Sequence, residues 1–246
     1  MTKRILAMPQ QYNQWGQAVG MTLEHFEPCQ FRCKTEVGQS VRLIPMLPDQ
    51  LDDSLLQRLW QTVQQEPDER CWTYLPYSQI QSMQQLRDYF QQSFHFTGSM
   101  HYVIEVGDAI VGWIGLLNVR PAHAVIEIGN VFFSSLMKRS TAATETIYLL
   151  LKACFSAGYR RVEWKCDDLN TPSKNAALRF GFQFEGLFRQ HVIVKGRNRD
   201  TAWFAMLDQD WPMLSQAYAA WLNTNNFDEQ GQQKIHLKEF MQLYRA

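Results

Sequence analysis

The sequence predicts an α/β protein of the α+β kind, with a mixed, mostly antiparallel sheet flanked by helices. Three observations predict it. Val125 to Phe133 (VIEIGNVFF) is an apolar strand run, a helical stripe follows, and Arg161 to Cys166 (RVEWKC) is a second strand run after a short link. A strand, helix and strand so closely joined make a right-handed crossover with the two strands parallel. His101 to Val106 and Ala109 to Leu117 are two alternating apolar runs joined by Gly107-Asp108, a two-residue hairpin signal. A last pair of runs, Phe188 to Lys195 and Thr201 to Leu207, forms another hairpin joined by Gly196 to Asp200.

Taken in order, residues 1 to 40 are polar and read as an irregular arm draped over the domain, anchored by Trp15, Phe26 and Phe31. Val41 to Ile44 is a short strand closed by Pro45 and Pro48. Asp52 or Asp53 starts a helix with Leu55, Leu56, Leu59, Trp60 and Val63 at helical spacing, ending near Pro67. A polar helix spans Ser78 to Phe94, and between the two helices lies the aromatic loop Cys71 to Tyr77. In the crossover helix Ile147, Leu150, Leu151, Cys154 and Phe155 form one apolar stripe, and Gly158 suits the left-handed C′ position. Thr171-Pro172 supplies an N-cap and first-turn proline for a short helix that Gly181 ends. After Trp211-Pro212 come a helix from Met213 to Leu222 and a polar tail. The division is an arm (1–40), a domain (41–210) and a C-terminal helix with tail (211–246).

Composition bounds the function. Lys plus Arg equal Asp plus Glu at 24 each, so no global field suggests nucleic acid, and any anion site is local. The cysteines are odd in number and scattered, and the N-terminus has too few apolar residues before Pro9 for a signal peptide, which points to the cytoplasm. No run is long enough to span a membrane. His25, Cys29 and Cys33 have no second ligand pair for a closed zinc site, so no metal is expected. His95, His101, His123, His191 and His236 fall in no Ser/His/Asp constellation and are not assigned to catalysis.

At the start of the crossover helix Lys138, Arg139, Ser140 and Thr141 converge on free backbone N–H groups where the helix dipole is positive. That arrangement suits a phosphate, or else Ser140 is an ordinary N-cap. Strand, turn and helix resemble motif A of the GNAT acyltransferase superfamily, in the branch typified by the ribosomal-protein N-acetyltransferases. The motif falls on Lys138, Arg139, Ser140, Thr141, Ala142 and Ala143, followed by Thr144-Glu145. Lys138 stands for its usual Gln or Arg, and Thr141 for its usual Gly. Asn170, Ser173, Arg179-Phe-Gly-Phe182, Glu185-Gly186 and Phe188-Arg189 resemble the downstream signature of the same branch. The resemblance covers about residues 41 to 210.

The resemblance implies the GNAT acyl-CoA N-acyltransferase fold with a splayed parallel strand pair, acetyl-CoA as co-substrate and an amine acceptor; a homodimer is common in the branch. Backbone groups of Val131, Phe132 and Phe133 would meet the thioester and pantetheine, though VFF reads equally as core. Lys138 to Thr144 would hold the pyrophosphate, and Asn170 the pantetheine or ribose. Ser173 would protonate the leaving sulfur, although Asn170 and Ser173 could simply organise a helix start. Trp72, Tyr74 and Tyr77 would wall the acceptor pocket, or pin the loop to the core. Glu127, on the face shared with Gly129 and Val131, is the first choice of general base because burial raises a carboxyl pKa; the other reading is a solvated or salt-bridged strand residue. Asp167 and Asp168 are second choices. An α-amine with pKa near 8 is roughly one-tenth neutral at pH 7 and a lysine below a tenth of a percent, so a base matters far more for lysine. Cys154 lies on the buried stripe, and Cys166 is the thiol that a covalent mechanism would use. The competing class is a non-catalytic acyl-CoA-binding or regulatory module.

Overall fold

The computed structural model describes residues 10–24, 26–94 and 98–245. His25 and His95 lie outside them. A small exposed hairpin, β1 (Gln10–Tyr12) and β2 (Ala18–Gly20), stands apart from the main sheet. The sheet is built from β3 (Glu36–Val37), β4 (Val41–Met46), β5 (Met100–Val106), β6 (Ala109–Arg120), β7 (Val125–Phe133), β8 (Arg161–Asp167), β9 (Gln183–Val194) and β10 (Arg197–Leu207). The order is β3-β4-β5-β6-β7-β8-β10-β9, and only β7 and β8 run parallel.

Alternate residues of the central strands bury opposite faces. Ile114, Leu116, Ile126 and Ile128 pack against α3 (Thr141–Ser156), α4 (Thr171–Arg179), α5 (Trp211–Leu222) and α6 (Leu237–Leu243). Trp113 and Phe132 pack against α1 (Asp53–Gln64) and α2 (Met83–Phe94), with Leu56, Leu59, Leu86 and Phe90. The expected α/β architecture, with α3 joining the one parallel pair of strands, is therefore present.

Several boundaries differ from expectation for local reasons. β4 runs through Pro45 to Met46, because β3 covers only Arg42 and Leu43, leaving Pro45 on an open edge where no N–H is needed. α2 starts at Met83, not Ser78: Ser82 Oγ accepts the Gln85 N–H at 3.2 Å and Gln85 Oε1 accepts the Gln81 N–H at 2.8 Å, a reciprocal cap. The cap of α4 is Asn170, whose side chain takes the Ser173 N–H at 3.1 Å, so Thr171 and Pro172 are already helical. The last hairpin turns on Lys195-Gly196 alone, with φ of +50° and +71°, so the residues read as a loop belong to β10. The C-terminal segment contains α6, where a tail was expected.

The arm is partly ordered by the core. Trp15 is 74% exposed and Phe26 is exposed too, so neither is an anchor, whereas Phe31 packs on Tyr159 with ring centroids 6.3 Å apart. Glu145 in α3 is buried and accepts from the Gln39 N–H, the Ser40 N–H (2.9 Å) and Ser40 Oγ (2.6 Å). A Cβ at Gly38 would run into the Glu145 carboxylate, which would have to shift off these hydrogen bonds to make room.

Candidate functional site

The parallel pair opens as it runs. β7 and β8 pair only over four positions, Val125–Ile128 with Arg161–Trp164. Beyond them β7 continues on β6 as far as Phe133, and β8 continues on β10 as far as Asp167. A slot therefore lies between Gly129–Phe133 and Lys165–Asp167, walled by backbone that has lost its neighbour. Such an edge offers β-type hydrogen bonds to an extended amide chain. Two hollows lie elsewhere. One of about 380 Å³ is lined by Trp60, Val63, Glu66 and Ile80; one of about 360 Å³ is lined by His123, Arg160 and Asp208 at the opposite end of the parallel pair.

A bulge shapes the slot wall. Trp113 pairs with Phe132 but Gly115 pairs with Gly129, so β7 carries one extra residue there. Asn130 takes φ +50°, which asparagine tolerates better than most residues. Its side chain is clamped: Tyr77 Oη donates to Oδ1 at 3.2 Å, and Nδ2 lies 2.8 Å from His101 Nε2. His101 is buried, which pushes its pKa down to about 4, so the neutral ring accepts from Asn130 near pH 7. The bulge also reverses the faces. Val131 joins the α3 side, and does not share a face with Glu127 and Gly129 as expected; Phe132 is buried between Trp72 and Trp113.

Glu127 is 5% exposed, but it is not the unpaired carboxyl among apolar neighbours that the sequence suggested. Lys165 Nζ lies 2.6 Å from Oε2, and Asn118 Nδ2 donates to the same oxygen. Oε1 is left over. It has no hydrogen-bond partner among the described residues and lies 3.2 Å from where a Cβ at Gly129, the first residue of the slot wall, would stand. Of the second-choice acids, Asp168 is paired with Lys174 at 2.8 Å, and Asp167 accepts the Leu169 N–H in a turn at 2.9 Å.

The turn before α3 divides its groups between fold and ligand. Ser140 caps the helix, its Oγ accepting the Ala143 N–H at 3.3 Å and donating to Met137 O at 2.6 Å. Arg139 is exposed with φ +63°. Ala142, Ala143 and Thr144 are buried, so their side chains offer nothing to a ligand and only the first-turn backbone of Thr141 and Ala142 remains. Glu66 is unexpected here. Its carboxylate takes the Ser135 N–H and lies 3.2 Å from Lys138 Nζ.

On the far side of the slot, Ser173 Oγ accepts from Trp164 Nε1 at 3.1 Å and so keeps its own proton to donate. Asn170 is occupied as the α4 cap. Cys166 is buried, and burial pushes its thiol up, as it does that of Cys154, which makes both poor nucleophiles. In the aromatic loop, Trp72 is core, 3% exposed and stacked on Phe132 at 5.0 Å. Tyr74 Oη donates to Leu169 O at 3.0 Å, which ties this loop to the start of α4. Tyr77 touches the slot wall through its hydroxyl on Asn130, and its ring packs on Trp72 and Tyr89.

Lys165, Asn130, His101 and Glu66 were not singled out from the sequence. The one local signal was Gly129-Asn130 inside an apolar strand, a pair that tolerates a bulge. Among the described residues no group of metal-type ligands converges, and no helix is long and apolar enough to cross a membrane.

The acetyltransferase (GNAT) domain model matches residues 41–183. A GCN5-related N-acetyltransferase from Brucella melitensis is 38% identical, with 89% of this chain and 100% of that one covered and a TM-score of 0.84. A GNAT-family acetyltransferase from Chromobacterium violaceum is 34% identical over 79% of this chain and 96% of its own, with a TM-score of 0.73. RimL, a ribosomal-protein alpha-N-acetyltransferase solved with coenzyme A, is 18% identical over 71% of this chain and 98% of its own; its TM-score of 0.59 speaks for the fold alone. No curated protein matches the chain. With the family model spanning more than half of its length and two relatives above 30% identity, the chain belongs to the GNAT acetyltransferases.

Proposed function

We propose that the protein transfers the acetyl group of acetyl-CoA to a primary amine by direct attack in a ternary complex. The observation that carries this is the divergence of β7 from β8 after four paired positions, beside the N-terminus of α3. The slot edge offers backbone groups to the pantetheine amides and to the thioester oxygen. The first-turn N–H groups of α3, with Arg139 and Lys138, face the pyrophosphate.

Glu127 is held through Oε2 and accepts the amine proton on Oε1. The amine nitrogen forms the new C–N bond as the C–S bond breaks, and Ser173 gives its hydroxyl proton to the departing sulfur. Tyr77 lines the acceptor side. The acceptor is a protein α-amine, as in the ribosomal-protein branch, or a small amine. One observation favours the second reading, an acyl-CoA-binding module without turnover: the candidate base Glu127 is already engaged through Oε2 by Lys165 and Asn118.

Calorimetric titration with acetyl-CoA and then with pantetheine tests the donor site, with binding expected to need the nucleotide half. Thiol release in the presence of amines separates the enzyme from the module. Absence of acetyl-CoA binding would reject both readings.

A further inference from the structure

The helices α1 and α2 cover the β4 to β7 part of their side of the sheet. Beside it, on the same side, β8, β10 and β9 present Lys165, Trp203, Thr201, Arg199, His191 and Phe188. Common orientation follows from contacts: Lys165 pairs with Glu127 and lies 4.4 Å from the Trp203 ring centroid. Thr201 Oγ1 lies 3.0 Å from His191 Nδ1 and accepts from Arg199 Nε at 3.2 Å, and Phe188 packs on Trp203 at 4.9 Å. Thr201 is in register with Asp167, at the open end of the slot. Lys195, at the tip of the same hairpin, donates to Trp72 O at 2.7 Å, so this surface and the aromatic loop flank one mouth.

Charge pairing on this surface is incomplete. Among the described residues the half-buried cations are Arg58, Arg87, Arg160, Arg161, Lys165, Lys174 and Arg199. All but Arg160 and Arg199 have a carboxylate within ion-pair distance. Arg160 lies by the hollow at the far end of the parallel pair. Arg199 lies by the slot, with Nε engaged and its two terminal nitrogens without an acid. The same surface holds a second donor lacking an acceptor, since Trp203 Nε1 is covered from water and meets no partner. A guanidinium fork with free terminal nitrogens matches a carboxylate in two parallel hydrogen bonds.

We propose that Arg199 binds the acceptor and that the acceptor is an amine bearing a carboxylate, seated against Arg199 and Trp203, with the buried Thr201 holding the guanidinium in place through Nε. This rests on the acetyltransfer reading and deepens it. The overall charge balance of the chain is silent on the point, because the preference is set by one locally unpaired cation. A free amino acid and a peptide N-terminus with an acidic side chain both supply this chemistry.

The test compares matched acceptors: alanine with alaninamide for a small substrate, and Ala-Glu amide with Ala-Gln amide for a peptide. The acid of each matched source is expected to have a kcat/KM about tenfold above its amide, through KM, as a charge-assisted pair provides. Arg199→Gln should remove that preference, lowering kcat/KM for the acids far more than for butylamine and leaving acetyl-CoA affinity unchanged, and Arg199→Lys should restore part of it. Equal kcat/KM for acids and amides, or a loss with butylamine as large as with the acids, overturns the proposal. A second measurement stands apart from turnover and from acetyl-CoA. The indole N–H resonance of Trp203 should shift on titration with N-acetylalanine but not with N-acetylalaninamide, and Arg199→Gln should abolish the shift. No shift with the acid overturns the anion subsite even where acetyl-CoA binds, whereas failure of acetyl-CoA to bind rejects the acetyltransfer reading by itself.

Discussion

Glu127 and Glu163 stand in register on the two parallel strands, both buried, and differ in what is left of each carboxylate. Glu163 gives Oε2 to Arg120 and Oε1 to Arg161 at 2.9 Å, and Arg161 goes on to Glu185 at 2.6 Å. Both of its oxygens are taken. Glu127 gives Oε2 to Lys165 and Asn118 and keeps Oε1 without a hydrogen-bond partner among the described residues, beside Gly129 of the slot wall. A carboxylate saturated by guanidinium groups holds two strands together, whereas one fixed through a single oxygen is both positioned and able to accept a proton.

The comparison is broken most sharply by Glu127→Gln. Loss of a general base lowers kcat on the order of 10²-fold. Acetyl-CoA affinity should be unchanged. A stopped thiol-release series reads the first and calorimetry the second, and an unaltered kcat removes Glu127 from the chemistry. Glu163→Gln should do the reverse. It leaves two guanidinium groups with a weaker acceptor, for a cost of about 2 kcal/mol once the solvent exposure of Arg120 and Arg161 is discounted. Thermal unfolding should register that loss while kcat stays near the parent value. A kcat loss as large as that of Glu127→Gln would mean that the two acids act as one unit.

His101 sharpens the contrast by titration. Its pKa in the folded protein is about 4, against an ordinary value of 6.5, because burial disfavours the cation. Between those values the unfolded chain binds more protons than the native one. Its contribution to stability is therefore fully present above pH 6.5 and is lost as pH falls toward 4, by about 2 kcal/mol or more. His101→Gln should flatten the stability curve in that window, as read by chemical denaturation at several pH values. The same substitution should lower kcat more than it raises the Kd for acetyl-CoA, since the Asn130 clamp shapes the slot wall and leaves the turn before α3 alone.

Much of the fold was legible because its signals are periodic and local. The apolar run of β7, the stripe of α3 and the Gly107-Asp108 turn each specify an element without reference to the rest of the chain. What escaped was set by single side chains or by register. The start of α2 depends on Ser82 Oγ accepting the Gln85 N–H while Gln85 Oε1 accepts the Gln81 N–H, and the final turn on Lys195 adopting positive φ, which a basic, polar stretch does not announce. In the site, Glu127 was visible as an isolated acid in an apolar strand. Lys165 as its partner was not, because that contact exists only once β7 and β8 are laid side by side. His101 and Asn130 are likewise joined by the registers of β5, β6 and β7, and Arg199 sat within residues that read as a loop.

The smallest expected effect concerns the turn before α3, where the proposed pyrophosphate site rests mostly on backbone N–H groups. Lys138 is half exposed and already paired with Glu66, so Lys138→Ala should weaken coenzyme A binding by about fivefold, the scale of one exposed ion pair. Binding of pantetheine should not change, because it carries no pyrophosphate. Glu66→Gln should act in the opposite direction by releasing the ammonium and weakening the hold on the Ser135 N–H. Calorimetry on both variants at low and high salt distinguishes a competing anion from a brace. Tighter binding for Glu66→Gln that fades with salt identifies Glu66 as an internal rival of the pyrophosphate; weaker binding at every salt concentration identifies it as the residue that holds the turn in shape.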